Sequence, residues 1–261
     1  MMIKKVLTIA GSDCSGGAGI QADIKTITAH KMYAMSAITA LTAQNTMGVF
    51  GIFETSPEFV AHQLKCIFED IRPDAVKLGM VTNREIIEVI SDALVKYNAE
   101  NIVVDPVMAS TSGGRLLVDG AAETLKSRLF PLATVITPNI PEAEALTGIS
   151  ITKPQDMISA ARALADAAPC AVLIKGGHLA GNADDLLYFN GKAEWFSATR
   201  IDTENTHGTG CTLSSAIACN LAAGHSLGDS VRSAKDYITG ALRAGLNIGR
   251  GGGPLDHTYA L

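Results

Sequence analysis

The 261 residues contain no Walker A sequence, no Cys-x-x-Cys pair and no apolar run able to span a bilayer. The one Gly-Lys dipeptide, Gly191-Lys192, is followed by Ala, so a P-loop nucleotide site is excluded. The five cysteines, at 14, 66, 170, 211 and 219, are odd in number and scattered, which points to reduced thiols rather than a zinc knuckle or redox couple. Two stretches, Met32 to Phe53 and Asn205 to Gly228, carry no formal charge. Both are broken by Gly, Asn, Gln, Ser and Thr, whereas a spanning helix needs about 20 mostly apolar residues. Lys4 and Lys5 imitate the start of a signal peptide, but Val6 to Ala10 is shorter than the roughly 7–15 residues of its apolar region. That run reads as a first strand in a cytoplasmic protein.

Charge is sparse as well. Only 18% of residues are charged, and 21 Lys and Arg against 26 Asp and Glu leave a net charge of −5. This disfavours a broad footprint for nucleic acid or an anionic membrane and favours a small-molecule partner. There is no internal repeat, low-complexity tract or Pro/Ser-rich linker, so one domain over residues 1–261 is expected, with 47% hydrophobic residues to fill its core. Glycine is the excess: 25 residues, clustered at 11–19, 113–114, 176–177, 208–210 and 249–253. Only the last cluster reads as a flexible tail.

Apolar runs at Val6–Ala10, Ser36–Gln44, Ala75–Gly79, Asn101–Asp105, Thr134–Thr137 and Ala171–Lys175 alternate with helical patterns, which predicts an α/β fold with a mostly parallel sheet flanked by helices. Ser56-Pro57 opens a helix to Asp70, and Asn83 caps another. Further helices are expected near Asp119–Leu129, Pro154–Ala167, Gly208–Ala223 and Leu227–Ile248. Asn190-Gly191, between Leu186–Phe189 and Ala193–Ser197, predicts a hairpin and an antiparallel sheet edge.

Ligands of such sheets bind beyond the carboxyl ends of the strands. The residues there are Gly11-Ser12-Asp13, Gln44-Asn45-Thr46, Asp105-Pro106, Thr137-Pro138-Asn139 and Lys175-Gly176-Gly177-His178. Gly17-Ala18-Gly19-Ile20-Gln21-Ala22 matches the dinucleotide fingerprint, but no carboxylate follows Asp23 until Glu54, so the ribose partner is missing. Those glycines could equally make a tight strand-to-helix turn. Thr206-His207-Gly208-Thr209-Gly210-Cys211-Thr212 opens an apolar helix whose freed N–H groups suit an anion, and the helix field should favour the Cys211 thiolate. The bland alternative is a turn plus cap. A Cys–His thiol hydrolase built from His207 and Cys211 is not supported by nearness in sequence. Asn139 and Glu142, at i and i+3, could address one Mg²⁺ or form a capping box. Asp105 closes a buried strand before Pro106 and by itself reads as a cap, and Lys175 could neutralise phosphate or simply end a strand. Their convergence at one sheet edge suits phosphoryl transfer, which needs an anion site, metal carboxylates and a cation together.

Taken in order, Ala10-Gly11-Ser12-Asp13, Gly16 to Asp23, Thr42 to Thr46, Val104 to Met108, Thr137-Pro138-Asn139 with Glu142, Lys175 to His178, and His207 to Thr212 resemble the ribokinase superfamily. Within it they resemble the hydroxymethylpyrimidine/phosphomethylpyrimidine kinases of thiamine biosynthesis. The resemblance runs over nearly the whole chain. It implies a ribokinase-like three-layer sandwich and an ATP- and Mg²⁺-dependent kinase that phosphorylates a hydroxymethylpyrimidine and then its monophosphate. It also implies a homodimer. Gln44 would read the aminopyrimidine edge, with Asp23, Gly11, Met80 and Val107 lining the same pocket. Asp105 and Glu142 would serve Mg²⁺; Asn139, Thr209 and Lys175 the nucleotide phosphates. Gly208, Gly210 and Cys211 would hold the transferring group, with Cys211 where many relatives carry an Asp base. Cys14 stands where a small hydroxyl residue is common; Lys77 to Met80 and the 249–254 tail also vary. The small residues of 109–114 suit a flap. The rival readings are a pyridoxal kinase of the same architecture, whose substrate also carries a hydroxymethyl group on a flat heterocycle, and a non-catalytic pyrimidine- or nucleotide-binding protein. A nicotinamide oxidoreductase is disfavoured by the missing ribose acid.

Overall fold

Successive side chains of a strand face opposite sides of a sheet, and in this protein both sides are covered. In the computed structural model, which describes residues 3–108, 120–177 and 183–261, Leu7 and Ile9 of β1 (Lys5–Asp13) enter one apolar core while Val6 enters the other. Leu78 and Ala75 of β4 (Ala75–Leu78) divide in the same way. The first core is closed by α2 (Pro57–Asp70), α3 (Arg84–Lys96), α4 (Ala121–Thr124) with the π turn that follows it, α5 (Ile140–Thr147) and α6 (Pro154–Ala167). The second is closed by α1 (Gly19–Ala29), α7 (Thr209–Ala222) and α8 (Leu227–Ala244). The result is the expected three-layer α/β sandwich.

Among the described residues nine strands form one sheet in the order β3-β2-β1-β4-β5-β6-β7-β8-β9. The six from β2 (Tyr33–Asn45) to β7 (Ala171–Ile174), including β5 (Ile102–Val104) and β6 (Val135–Ile136), run parallel. Chain order reverses between β1 and β4, so the crevice beyond their carboxyl ends is the topological switch point where ligands bind. Both sheet edges are antiparallel. One is the expected hairpin of β8 (Asp185–Phe189) and β9 (Lys192–Phe196), turned by Asn190 and Gly191 at positive φ. The other, β3 (Gly48–Glu54), was not anticipated: it is mostly exposed and lacks a buried alternating face.

Local signals fared well. Ser56 caps α2 by accepting from Phe59 N, and Asn83 caps α3 by accepting from Ile86 N. Helix α8 ends at Ala244, short of the expected Ile248. The Gly-rich 249–253 segment is tied down rather than loose: Arg250 N and Gly251 N donate to Thr46 Oγ1, and Gly253 O accepts from His207 N. The 109–114 segment proposed as a flap, His178, and the expected helix start at Asp119 lie outside the described residues. No described helix is long and apolar enough to cross a membrane.

Candidate active site

Each element that ends at the switch point delivers one part of the site. Strand β1 bulges between Ala10 and Ser12, and Gly11 lies flush against Met80, two residues beyond the end of β4; a Cβ there would sit 2.6 Å from Met80 Cε. Strand β1 then stops at Asp13, which is buried and accepts hydrogen bonds from Ser15 N and Oγ, Gly17 N and Ala18 N. These bonds fold the 13–18 turn around one carboxylate. Burial alone would raise its pKa, but His207, Ser15 and Ala18 hold it well below the usual carboxylate range.

The turn before α7 locks against this loop. Gly208 has φ +86°, and a Cβ on it would lie 1.9 Å from Gly17 O; a Cβ on Gly17 would lie 2.3 Å from the His207 ring. Only glycine permits both the left-handed turn and this approach. Gly210, one step into α7, sits beside the charged centre: its Cβ position is 3.3 Å from both Asp105 Oδ2 and Lys175 Nζ. The free N–H groups of the α7 start therefore face the same space as the Lys175 ammonium.

Lys175 Nζ lies 2.7 Å from Asp105 Oδ1 and 4.0 Å from Glu142 Oε2. Thr137 Oγ1 also donates to Asp105 Oδ1 at 2.9 Å. Burial opposes the ammonium, but Asp105 and Glu142 outweigh it and hold Lys175 above the ordinary lysine range. Glu142 is pushed up by burial, with Asp105 adding to the shift and Lys175 opposing it. Asn139 and Glu142 do form the capping box weighed from their spacing: Asn139 Oδ1 accepts from Glu142 N at 2.8 Å, and Glu142 Oε2 from Asn139 N at 2.7 Å. The cap does not seal Glu142 off: the carboxylate also accepts a backbone N–H from Met108, and the residue still borders the cavity. Two carboxylates around one ammonium leave a local charge of −1 with oxygen donors only, a set suited to a hard cation that keeps water and phosphate ligands.

These groups line one cavity of about 790 Å³. Gly11, Gln44, Met80, Val107, Asp105, Asn139, Glu142, Lys175, Gly208, Thr209, Gly210 and Cys211 all border it. Asp23, expected among them, does not. It is wholly buried beneath the sheet, where both oxygens sit 2.9 Å from Lys77 Nζ and accept from Thr8 Oγ1 and Ser215 Oγ. The alternation of β4 explains this, because Lys77 points to the α1/α7 side and needs a partner there. The Asp23 carboxylate overcomes the penalty of burial and holds Lys77 above its ordinary range.

The expected thiolate at Cys211 is also corrected. Burial pushes the thiol up to about 11. Lys77 and the Gly19 N–H pull the other way but do not offset it, and Asp23 and Asp105 add to the rise. Desolvation outweighs the helix field, so Cys211 is a neutral thiol at pH 7.

One lobe of the cavity was missed in the sequence. Leu213, Ile238 and Leu242 with Thr239 form an apolar wall, faced by 198–201 after β9 and by the buried Lys235–Asp185 pair at 2.6 Å. Ile238 and Leu242 are four residues apart on α8, a spacing that reads simply as core.

Comparison with known proteins follows the same lines. A profile of the family described as phosphomethylpyrimidine kinase matches residues 13–256. The hydroxymethylpyrimidine/phosphomethylpyrimidine kinase of Streptomyces coelicolor is 48% identical over 256 residues, covering 98% of this chain and 95% of that protein. The crystal structure of phosphomethylpyrimidine kinase from Clostridium difficile 630 is 48% identical, with a TM-score of 0.81 over 90% of this chain and 98% of that one. An ADP complex of Bacillus subtilis pyridoxal kinase superposes with a TM-score of 0.91 at 37% identity, covering 99% and 98%.

Proposed function

The chain belongs to the phosphomethylpyrimidine kinase family, and from that premise we propose that it phosphorylates 4-amino-5-hydroxymethyl-2-methylpyrimidine and then the resulting monophosphate, using ATP and Mg²⁺, in thiamine biosynthesis. The observation that carries this reading is the meeting, in one cavity, of the Gln44 amide with the Gly208–Cys211 turn and the Asp105–Lys175–Glu142 cluster. An amide offers one donor and one acceptor side by side, the complement of an aminopyrimidine edge. Gly11, Met80 and Val107 supply close, apolar walls for the ring.

The N–H groups at the start of α7, with Lys175, would hold the transferring phosphoryl group, and Thr209 and Asn139 would steady the nucleotide phosphates. The Leu213–Ile238–Leu242 lobe suits a flat purine. Asp105 and Glu142 would hold Mg²⁺, whose contribution is to neutralise charge on the phosphate oxygens. The neutral Cys211 thiol, already protonated, would not take the proton of the attacking hydroxyl but would sit beside it and orient it; a loose transition state asks for little early deprotonation, so that proton can leave late to a phosphoryl oxygen.

The superposition on pyridoxal kinase keeps that alternative in the same fold, while the family profile and the 48% identity favour the pyrimidine. The purified protein should therefore phosphorylate the pyrimidine alcohol and its monophosphate with higher kcat/KM than pyridoxal. Failure on the monophosphate would overturn the two-step reading, and tight binding without turnover would favour a binding protein. The β2–β3 edge exposes Leu41, Phe50, Ile52 and Phe53, a surface that would be covered in a homodimer in the cytoplasm. Sedimentation at a single monomeric mass would refute that assembly.

A further inference from the structure

Gln44 is a poor judge of heterocycles by itself, because a side-chain amide turned end for end fills the same volume while exchanging donor for acceptor. Selectivity depends on what fixes its sense. The Gln44 amide nitrogen lies 3.3 Å from His207 Nε2, and its oxygen lies 3.0 Å from Thr42 Oγ1. His207 Nε2 is also 2.8 Å from Asp13 Oδ2. Thr42 Oγ1 is also 3.0 Å from Ser12 O.

Counting protons leaves one consistent arrangement. Asp13 already collects four N–H and O–H donors and is ionised, so it can only accept, and the His207 nitrogen facing it must carry the hydrogen. An amide NH₂ beside that ring N–H would set donor against donor. The Thr42 hydroxyl has a single proton, and Ser12 O, a pure acceptor, claims it. With the amide turned, Oε1 faces the His207 ring N–H as the longer, second acceptor of the one hydrogen that Asp13 Oδ2 holds at 2.8 Å, Nε2 donates to Thr42 Oγ1, and Thr42 donates to Ser12 O. No donor is then set against a donor.

The ring is held at its other end too. His207 N donates to Gly253 O at 3.1 Å, its ring packs on Gly17, and the tail that supplies Gly253 grips Thr46, two residues beyond Gln44. We propose that His207 is the positioning residue for acceptor selectivity: anchored by Asp13, its ring N–H selects which end of the Gln44 amide accepts and which donates, and so which heterocycle edge the pocket reads. The remaining N–H and lone pair of the amide then face the cavity in a fixed order. An edge with an amino donor next to a ring-nitrogen acceptor fits that order. An edge carrying an aldehyde oxygen beside a phenolic oxygen, as in pyridoxal, has no amino donor next to a ring nitrogen and does not.

The inference rests on the pyrimidine kinase reading above, and one set of steady-state measurements separates the two. His207→Leu removes the N–H, whereas His207→Gln returns an amide N–H at about the position of Nε2. With His207→Leu, KM for the pyrimidine alcohol should rise about tenfold and the pyrimidine-to-pyridoxal ratio of kcat/KM should fall about tenfold, while kcat and KM for ATP stay within twofold. His207→Gln should recover most of the ratio. An unchanged ratio in His207→Leu, an equal loss on both acceptors, or a His207→Gln variant as unselective as the leucine one overturns the proposal. Should the leucine variant fail to give a cooperative melt, Thr42→Val frees the opposite end of the amide and must lower the same ratio. If the wild type itself does not phosphorylate the pyrimidine, the functional reading falls and this inference with it.

Discussion

Cys211 provides the sharpest quantitative test of the site. Its thiol is raised to about 11 by burial at the start of α7. At pH 7.5 about 3 molecules in 10⁴ carry the thiolate, against roughly one in ten for a reference thiol of pKa ~8.5, a difference of about 300-fold. Alkylation by iodoacetamide proceeds through the thiolate, and Cys14 and Cys66 provide exposed thiols in the same molecule for comparison. Peptide-resolved labelling should find Cys211 at least 10²-fold slower than Cys14 at pH 7.5, with a rate that rises about tenfold per pH unit up to about pH 10. A plateau below pH 9, or parity with Cys14, would refute the reasoning. The catalytic counterpart follows. If turnover does not wait for a thiolate, kcat should be flat in its Cys211 dependence from pH 7 to 9, and Cys211→Ala should lower kcat by about 10- to 10²-fold with KM for ATP within twofold. Undiminished turnover in that variant removes Cys211 from catalysis.

The buried Lys77–Asp23 pair should behave as a unit. Lys77→Met alone leaves the Asp23 charge stranded and should cost about 3–5 kcal/mol in denaturant stability, whereas Lys77→Met with Asp23→Leu should recover more than half of that loss. A double variant as unstable as the single one would show that the pair is not what the site around it resents losing. His257 gives a pH signature with a definite sign. Burial, with Lys25 adding to it, lowers its pKa to about 4, and its Nε2 accepts from Thr212 Oγ1 at 2.9 Å as a neutral ring. The unfolded chain takes up a proton near pH 6.5 and the folded one does not until about 4, so stability is full above pH 6.5 and falls by about 3 kcal/mol as pH drops to 4. His257→Gln, which keeps an acceptor for Thr212, should flatten that fall in urea titrations; equal slopes would contradict the assignment.

The elements most legible in the sequence were those governed by neighbours along the chain. Ser56 and Asn83 stand at helix starts because a side-chain oxygen reaches an N–H three residues on. Asn190-Gly191 turns a hairpin because both residues adopt positive φ. Strand β3 escaped because it lies at an exposed edge with no buried face to impose alternation. The apolar lobe on α8 escaped because a helix stripe looks the same whether it meets a core or a cavity.

The sequence by itself determined an α/β fold with a mostly parallel sheet and the strand-end and glycine-turn residues that meet in the cavity, because strand ends, caps and glycine turns are short-range features; the three-layer arrangement entered through the family resemblance. Tertiary structure decided the charges and the directions. Asp23 lies in a polar-looking loop-and-helix segment, yet packing sends it under the sheet to Lys77, 54 residues away. Cys211 heads a helix that should favour its thiolate, yet the desolvation of its surroundings keeps the proton on sulfur. His207 and Asp13 are 194 positions apart, and no local rule could show that they share a hydrogen bond beside Gln44. Burial and hydrogen-bond sense depend on what the rest of the chain brings to a point in space, and that is settled only when the chain has folded.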